Sequence, residues 1–169
     1  MTSEWWRMLR APAHRALITI ARSAISLGAI LVEVSRSVRG GGLRTFKTKP
    51  FARFADREGI SDEALCDAVR RAVRGLIDAD LGGGVIKQRI ARQGQGRSGG
   101  YRAIVLFRRG KLAFFVYGFA KSDRENLRRN ELETFRLLAD EYLALDEKGL
   151  AGVQTAGAIV EVNCDDQAV

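Results

Sequence analysis

A chain of 169 residues with 46% hydrophobic side chains is long enough for one domain with a real core, which excludes disorder throughout. Its longest apolar stretch, Ala16–Val34, is interrupted by Arg22 and Glu33, short of the ~20 nearly uninterrupted apolar residues of a spanning helix, so no membrane partner is expected. The net charge of +8 is unevenly placed: residues 44–122 hold 17 Lys/Arg against seven acids, residues 123–169 hold five against eleven, and between Asp80 and Asp123 nine cations meet no acid at all, a block that attracts polyanions.

Residues 1–42 differ from the rest, with Trp5, Trp6, a run of small and apolar residues and the Gly40-Gly41-Gly42 hinge. They read either as an appendage or as the product of a start placed upstream of the true one at Val38 or Leu43. A domain beginning at Leu43 is expected to stand without them. From Arg44 the signals become regular: Arg44–Thr48 reads as extended, and Pro50 suits the first turn of a helix running through Phe51, Phe54 and Ala55 to Gly59. Ser61 caps the strongest helix, whose Leu65, Ala68, Val69, Ala72, Val73, Leu76 and Ile77 recur at helical spacing while Arg70, Arg71 and Arg74 fall on its other face. Gly82-Gly83-Gly84 makes a turn into a strand over Val85–Ile90, with Val85, Lys87 and Arg89 on one side and Ile86, Gln88 and Ile90 on the other.

A Gly-rich basic loop, Ala91–Gly100 with Arg97 at its centre, leads into Tyr101–Phe107, an Arg108-Arg109-Gly110 turn, and Leu112–Phe119, apolar on both faces like a central strand. Ser122 to Glu125 has capping-box spacing and opens a helix with Leu127, Phe135, Leu138, Tyr142 and Leu145 on one stripe. Residues 147–169 form an acidic tail in which Ala158–Val162 fits a short edge strand and Asp165 and Asp166 read as solvated. The expected fold is α+β: a small, mainly antiparallel sheet with two N-terminal helices and a C-terminal helix packed on one face, the charge left on the other. The domain spans residues 43–146.

Chemistry is narrowed by what is scarce. The basic block lacks the clustered carboxylates of a divalent-metal nuclease, and the chain's single histidine, His14, rules out a paired-histidine ribonuclease. Cys66 and Cys164 lie far apart and outside metal-ligand spacing, so neither a disulfide framework nor a metal site is expected, and a reducing cytoplasm is the natural location. RNA cleavage by its own 2′-hydroxyl needs only alignment and cationic stabilisation of the phosphate, with no cofactor. The Gly-rich loop is no nucleotide-binding P-loop, since neither Lys-Ser/Thr nor a helix follows it. It lies beside Lys87, Arg89 and Arg102, where a close backbone and basic side chains suit a phosphate chain.

Four segments in order, FKTKPFARFA (46–55), DLGGGVIKQRIA (80–91), GQGRSGGYR (94–102) and FFVYGFAKSDREN (114–126), resemble the RelE/HigB-type toxins of bacterial type II toxin–antitoxin systems, within the RelE/ParE superfamily. The resemblance covers roughly Leu43 to Leu145. It implies a RelE-like fold and a small ribosome-dependent endoribonuclease that cuts mRNA in the decoding site and is silenced by a helix-turn-helix antitoxin. Lys87, Arg89, Arg102 and Lys121 match the family's catalytic and phosphate-clamping positions, and Arg92, Arg97, Tyr101 and Tyr117 are the expected RNA contacts. One departure is that Arg128 lies near where some relatives place a tyrosine early in the last helix, which leaves the base for the 2′-hydroxyl unassigned. Two other readings remain: a non-catalytic RNA- or ribosome-binding module, and a ParE-like toxin acting on a protein target, although the basic strand cluster favours RNA.

Overall fold

The computed structural model describes residues 43–92, 96–120 and 127–164. The leader, Lys121, the capping box expected at Ser122 and the Asp165-Asp166 pair lie outside the described residues. Strand β1 (Arg44–Thr48) runs straight into helix α1 (Lys49–Glu58). Pro50 occupies its first turn, and Gly59 ends it at φ 65°, donating its N–H to the Ala55 and Asp56 carbonyls. Helix α2 (Asp62–Val73) is capped as expected, Ser61 Oγ accepting from the Ala64 N–H at 3.3 Å, with Asp62 and Glu63 at its positive end.

Strands β2 (Ala79–Gly82), β3 (Val85–Arg92), β4 (Gly96–Arg108) and β5 (Leu112–Ala120) then form an antiparallel meander, followed by helices α3 (Arg129–Tyr142) and α4 (Glu147–Thr155) and strand β6 (Ile159–Val162). The sheet order is β2-β3-β4-β5-β1-β6, antiparallel throughout except where β1 runs parallel to β5. The fold is α+β with a mostly antiparallel sheet. The turn expected at Gly82-Gly83-Gly84 is there, all three at positive φ, and it is the tip of a β2–β3 hairpin. The last long helix begins at Arg129 and not at the expected Ser122, since Leu127 and Arg128 are non-helical; the Arg128 N–H donates to Glu131 Oε2 at 2.7 Å.

The layering differs from the expectation of one helical face. Side chains alternate across a strand, and both sides of this sheet are covered. Phe115, Ile86, Ile90, Ala103 and Val105 pack against α1 and α2, while Phe114, Val85, Ile104 and Leu106 pack against Phe135, Leu138 and Tyr142 of α3 and Leu150 and Val153 of α4. The physical reason lies in β5, whose two faces each place a fully buried phenylalanine and therefore each need a lid. Phe114 stacks on Phe46 with ring centroids 5.1 Å apart and meets Tyr142 edge-on at 5.2 Å, and Phe115 packs on Phe51 at 5.2 Å.

Residues 147–162 are built into this core. Asp146 caps α4 by accepting the Gly149 N–H at 2.7 Å. Arg44 binds Glu161 of β6 at 2.7 Å and Glu147 of α4 at 2.5 Å, tying both to β1. Its guanidinium is held above the usual arginine range, chiefly by the Glu161 hydrogen bond against the cost of burial. The absence of a disulfide, expected from sequence separation, is also corrected: β6 brings Cys164 beside α2, and Cys66–Cys164 form a disulfide with Cα atoms 5.4 Å apart.

Candidate nucleic-acid interface

Helix α3 covers β3 and β4 near the glycine turn, where Leu143 and Ala139 lie against Gly84. Farther along the same face of these strands the side chains become basic. Cross-strand register sets six residues, three of them basic, in two rows. Lys87 lies beside Ile104 and then Tyr117; Arg89 lies beside Arg102 and then Phe119. Directly opposed residues on antiparallel strands have Cα atoms about 5 Å apart, so Arg89 and Arg102 are immediate neighbours and Lys87 is one same-face step along β3. The alternation expected for Val85, Lys87 and Arg89 is what brings these cations together.

On the third strand the rows end in aromatic rings. Tyr117 stacks with Phe119 at 5.5 Å and with Phe135 of α3 at 6.1 Å, and it stays half-buried on the basic face. Tyr101 does not join them. It points to the opposite face, 3% exposed, edge-on to Phe54 at 5.7 Å, with its hydroxyl donating to the Glu58 carbonyl. A residue immediately before Arg102 in a strand must face the other way, so the expected RNA contact at Tyr101 is replaced by a packing role. Arg92 and Gly96 pair across the β3–β4 end; the side chains of Arg92 and Arg97 lie outside the description.

The electrostatics are those of a crowded cationic patch. Burial first, and the adjacent Arg89 guanidinium second, push Arg102 below an ordinary arginine, with Asp78 acting in the opposite direction. Arginine remains protonated at neutral pH even so. The pair of guanidiniums therefore carries repulsion that an incoming anion relieves.

Three partners of this site carry no signature in the sequence. Asp78 forms an ion pair with Arg89, its Oδ1 3.0 Å from Nε, brought there by the β2–β3 hairpin. Gln88, 1% exposed on the helical face, donates from Nε2 to the Ala68 carbonyl at 2.9 Å and the Leu76 carbonyl at 3.0 Å, and its Oε1 accepts the Asp78 N–H at 3.3 Å. Arg71, read from sequence as part of an outward helix face, reaches the sheet: its Nη2 donates to the Arg89 carbonyl while its Nε lies 3.4 Å from Asp67.

The glycines beside the cluster have in part a steric reason. A Cβ on Gly100 would collide with the Ile90 carbonyl oxygen, next to the irregularity in β3–β4 pairing between Ile90 and Arg92. Backbone on both sides leaves nothing to yield cheaply. Gly100→Ala is accordingly expected to cost about 1–3 kcal/mol of stability, read as a lower urea midpoint with unchanged slope; a variant as stable as wild type would contradict the close approach.

No described helix is long and apolar enough to cross a membrane. No curated protein matches the chain. The family model for the RelE toxin of the RelE/RelB toxin–antitoxin system matches residues 43–162, which run from the approach to β1 through the last residue of β6. That span is most of the chain and includes the whole six-stranded sheet and the basic cluster on it, and the chain belongs to the RelE toxin family.

Proposed function

We propose that this toxin is a type II, HigB-like endoribonuclease that cuts mRNA on the ribosome, acts in the cytoplasm, and is silenced by a helix-turn-helix antitoxin. The observation that carries the reading is the facing pair Arg89 and Arg102, with Lys87 on the same face. A phosphate against the two guanidiniums meets planar, multi-donor cations suited to its oxygens. In the reaction the 2′-oxygen attacks the adjacent phosphorus as its proton leaves, the P–O5′ bond breaks, and O5′ takes a proton. The products are a 2′,3′-cyclic phosphate and a 5′-hydroxyl.

Arg89, Arg102 and Lys87 stabilise the charge that builds on the phosphate oxygens, the effect expected to dominate when no covalent intermediate forms. This reading assigns the stabilisation to the cations. Tyr117 offers a ring edge for a neighbouring base. Lys121, Arg92 and Arg97 keep the RNA-path roles that the family resemblance gives them.

Inducible expression in bacteria with mapping of mRNA 5′ ends tests the proposal. New ends clustered within translated frames are expected. Growth arrest with intact mRNA would contradict it, favouring RNA binding without cleavage if translation stalls, or a protein target if DNA replication does.

A further inference from the structure

An arginine on an exposed sheet surface is a poor clamp unless something holds it, because its long side chain loses much rotamer freedom when fixed. Arg89 is such a residue, its side chain 46% exposed. Among the described residues its carboxylate partner is Asp78, whose own side chain is 20% exposed and whose Oδ1 lies 3.0 Å from Nε. A guanidinium has five N–H donors in a rigid plane. Engaging Nε leaves both terminal nitrogens free to point away from the carboxylate.

Asp78 is itself fixed. Its main-chain N–H is held by Gln88 Oε1, and Gln88 is buried and anchored on the Ala68 and Leu76 carbonyls at the end of α2. The backbone carbonyl of Arg89 is gripped from the same helix by Arg71. Helix α2, on one side of the sheet, thereby sets the pose of an arginine on the other side.

We infer that Asp78 is a positioning residue, its carboxylate pairing with the Nε side of the Arg89 guanidinium so that the terminal nitrogens face the phosphate site shared with Arg102. The inference rests on the ribonuclease reading and adds to it a carboxylate that touches neither RNA nor the reacting atoms. It also separates orientation from binding. Loss of the carboxylate removes a negative charge from an anion site, which by itself would tighten RNA binding, whereas loss of orientation slows the chemical step.

The test is single-turnover cleavage of mRNA on programmed ribosomes by the full-length protein, with Asp78→Ala and Asp78→Asn beside wild type. Asp78→Ala is expected to lower the rate at saturation about tenfold, since small misplacements of a charged group can cost up to about 10², with the half-saturating concentration not raised. Asp78→Asn keeps the size of the side chain without its charge and, because the charge is what pairs with Arg89, is expected to lose nearly as much. A wild-type rate for Asp78→Ala would overturn the inference. So would a wild-type rate for Asp78→Asn, or a loss confined to half-saturation. The ¹⁵Nε–¹H signal of Arg89 gives a readout independent of activity: its order parameter should be high in wild type and fall in both variants. If wild type fails to cleave, the ribonuclease reading falls while this signal still decides whether Asp78 holds Arg89; a low order parameter in wild type overturns the positioning claim.

Discussion

Arg102→Ala is expected to abolish growth inhibition on induction while leaving the fold intact, with ribosome-dependent cleavage slowed on the order of 10²–10³, the range for removal of one preorganised donor from a developing oxyanion. The structure explains why the loss should be catalytic. Arg102 is half-buried beside Arg89, and among the described residues its side chain makes only a long hydrogen bond, Nη1 to the Tyr101 carbonyl at 3.5 Å. Removing it relieves repulsion in the free protein, so thermal stability should be unchanged or slightly higher. Lys87→Ala should behave similarly in cleavage. Arg71→Ala is no neutral control, because Arg71 supports the Arg89 backbone. Arg53→Ala is suitable: Arg53 is exposed on α1, which packs on the opposite face of the sheet. Full toxicity of a folded Arg102→Ala protein would refute the assignment, and equal losses at Arg53, Lys87 and Arg102 would indicate diffuse charge attraction.

Reduction of the disulfide should produce the largest change in stability. Cys66 and Cys164 close a loop with a sequence separation of 98, for which loop-closure entropy in the unfolded chain gives about 4–5 kcal/mol. That is a large share of the ~5–15 kcal/mol typical of a domain. Comparing oxidised and reduced wild-type protein, the melting temperature is expected to fall by roughly 10 °C or more, with Cys164→Ser matching the reduced form. The β1–β6 ladder and the Arg44 ion pairs remain after reduction, so the domain should still fold. In a reducing cytoplasm, where the proposed function places the toxin, that reduced form is the working one, and its cleavage rate should equal that of the oxidised form because the bridge lies on the face opposite the basic cluster. A shift under about 2 °C would show that the bridge contributes nothing.

The parts of this fold that could be read from sequence are those with strong periodicity. The α2 stripe through Ala72, the Ser61 cap, the alternation of β3 and the β4–β5 hairpin all follow from spacing alone, and with them the convergence of Lys87, Arg89 and Arg102; Val73 and Leu76, expected on the same stripe, are exposed because the helix ends at Val73. Helix α4 was hidden because Gly149 and Gly152 weaken helical propensity in a segment only nine residues long. Strand β2, with the sequence ADLG, has no alternation to mark it, and so Asp78 could not be placed beside Arg89. The double layering was signalled by β5, apolar on both faces, a pattern that outweighs the simpler picture of one bare charged face. Tyr101 and Arg71 show the limit from another side: each looked outward by composition, but each is committed to packing or backbone support by the register of one strand.

The central claim is cleavage by the RNA's own 2′-hydroxyl on a cationic surface, and the chemistry of the severed ends tests it most directly. Purified wild-type protein added to ribosomes programmed with a defined mRNA should yield upstream fragments ending in a cyclic or 3′-phosphate and downstream fragments beginning with a 5′-hydroxyl, open to labelling by a 5′-kinase without prior phosphatase. The ribosome's own need for magnesium does not disturb this readout. Fragments carrying 5′-phosphate and 3′-hydroxyl ends would show attack by an activated water and would contradict the account.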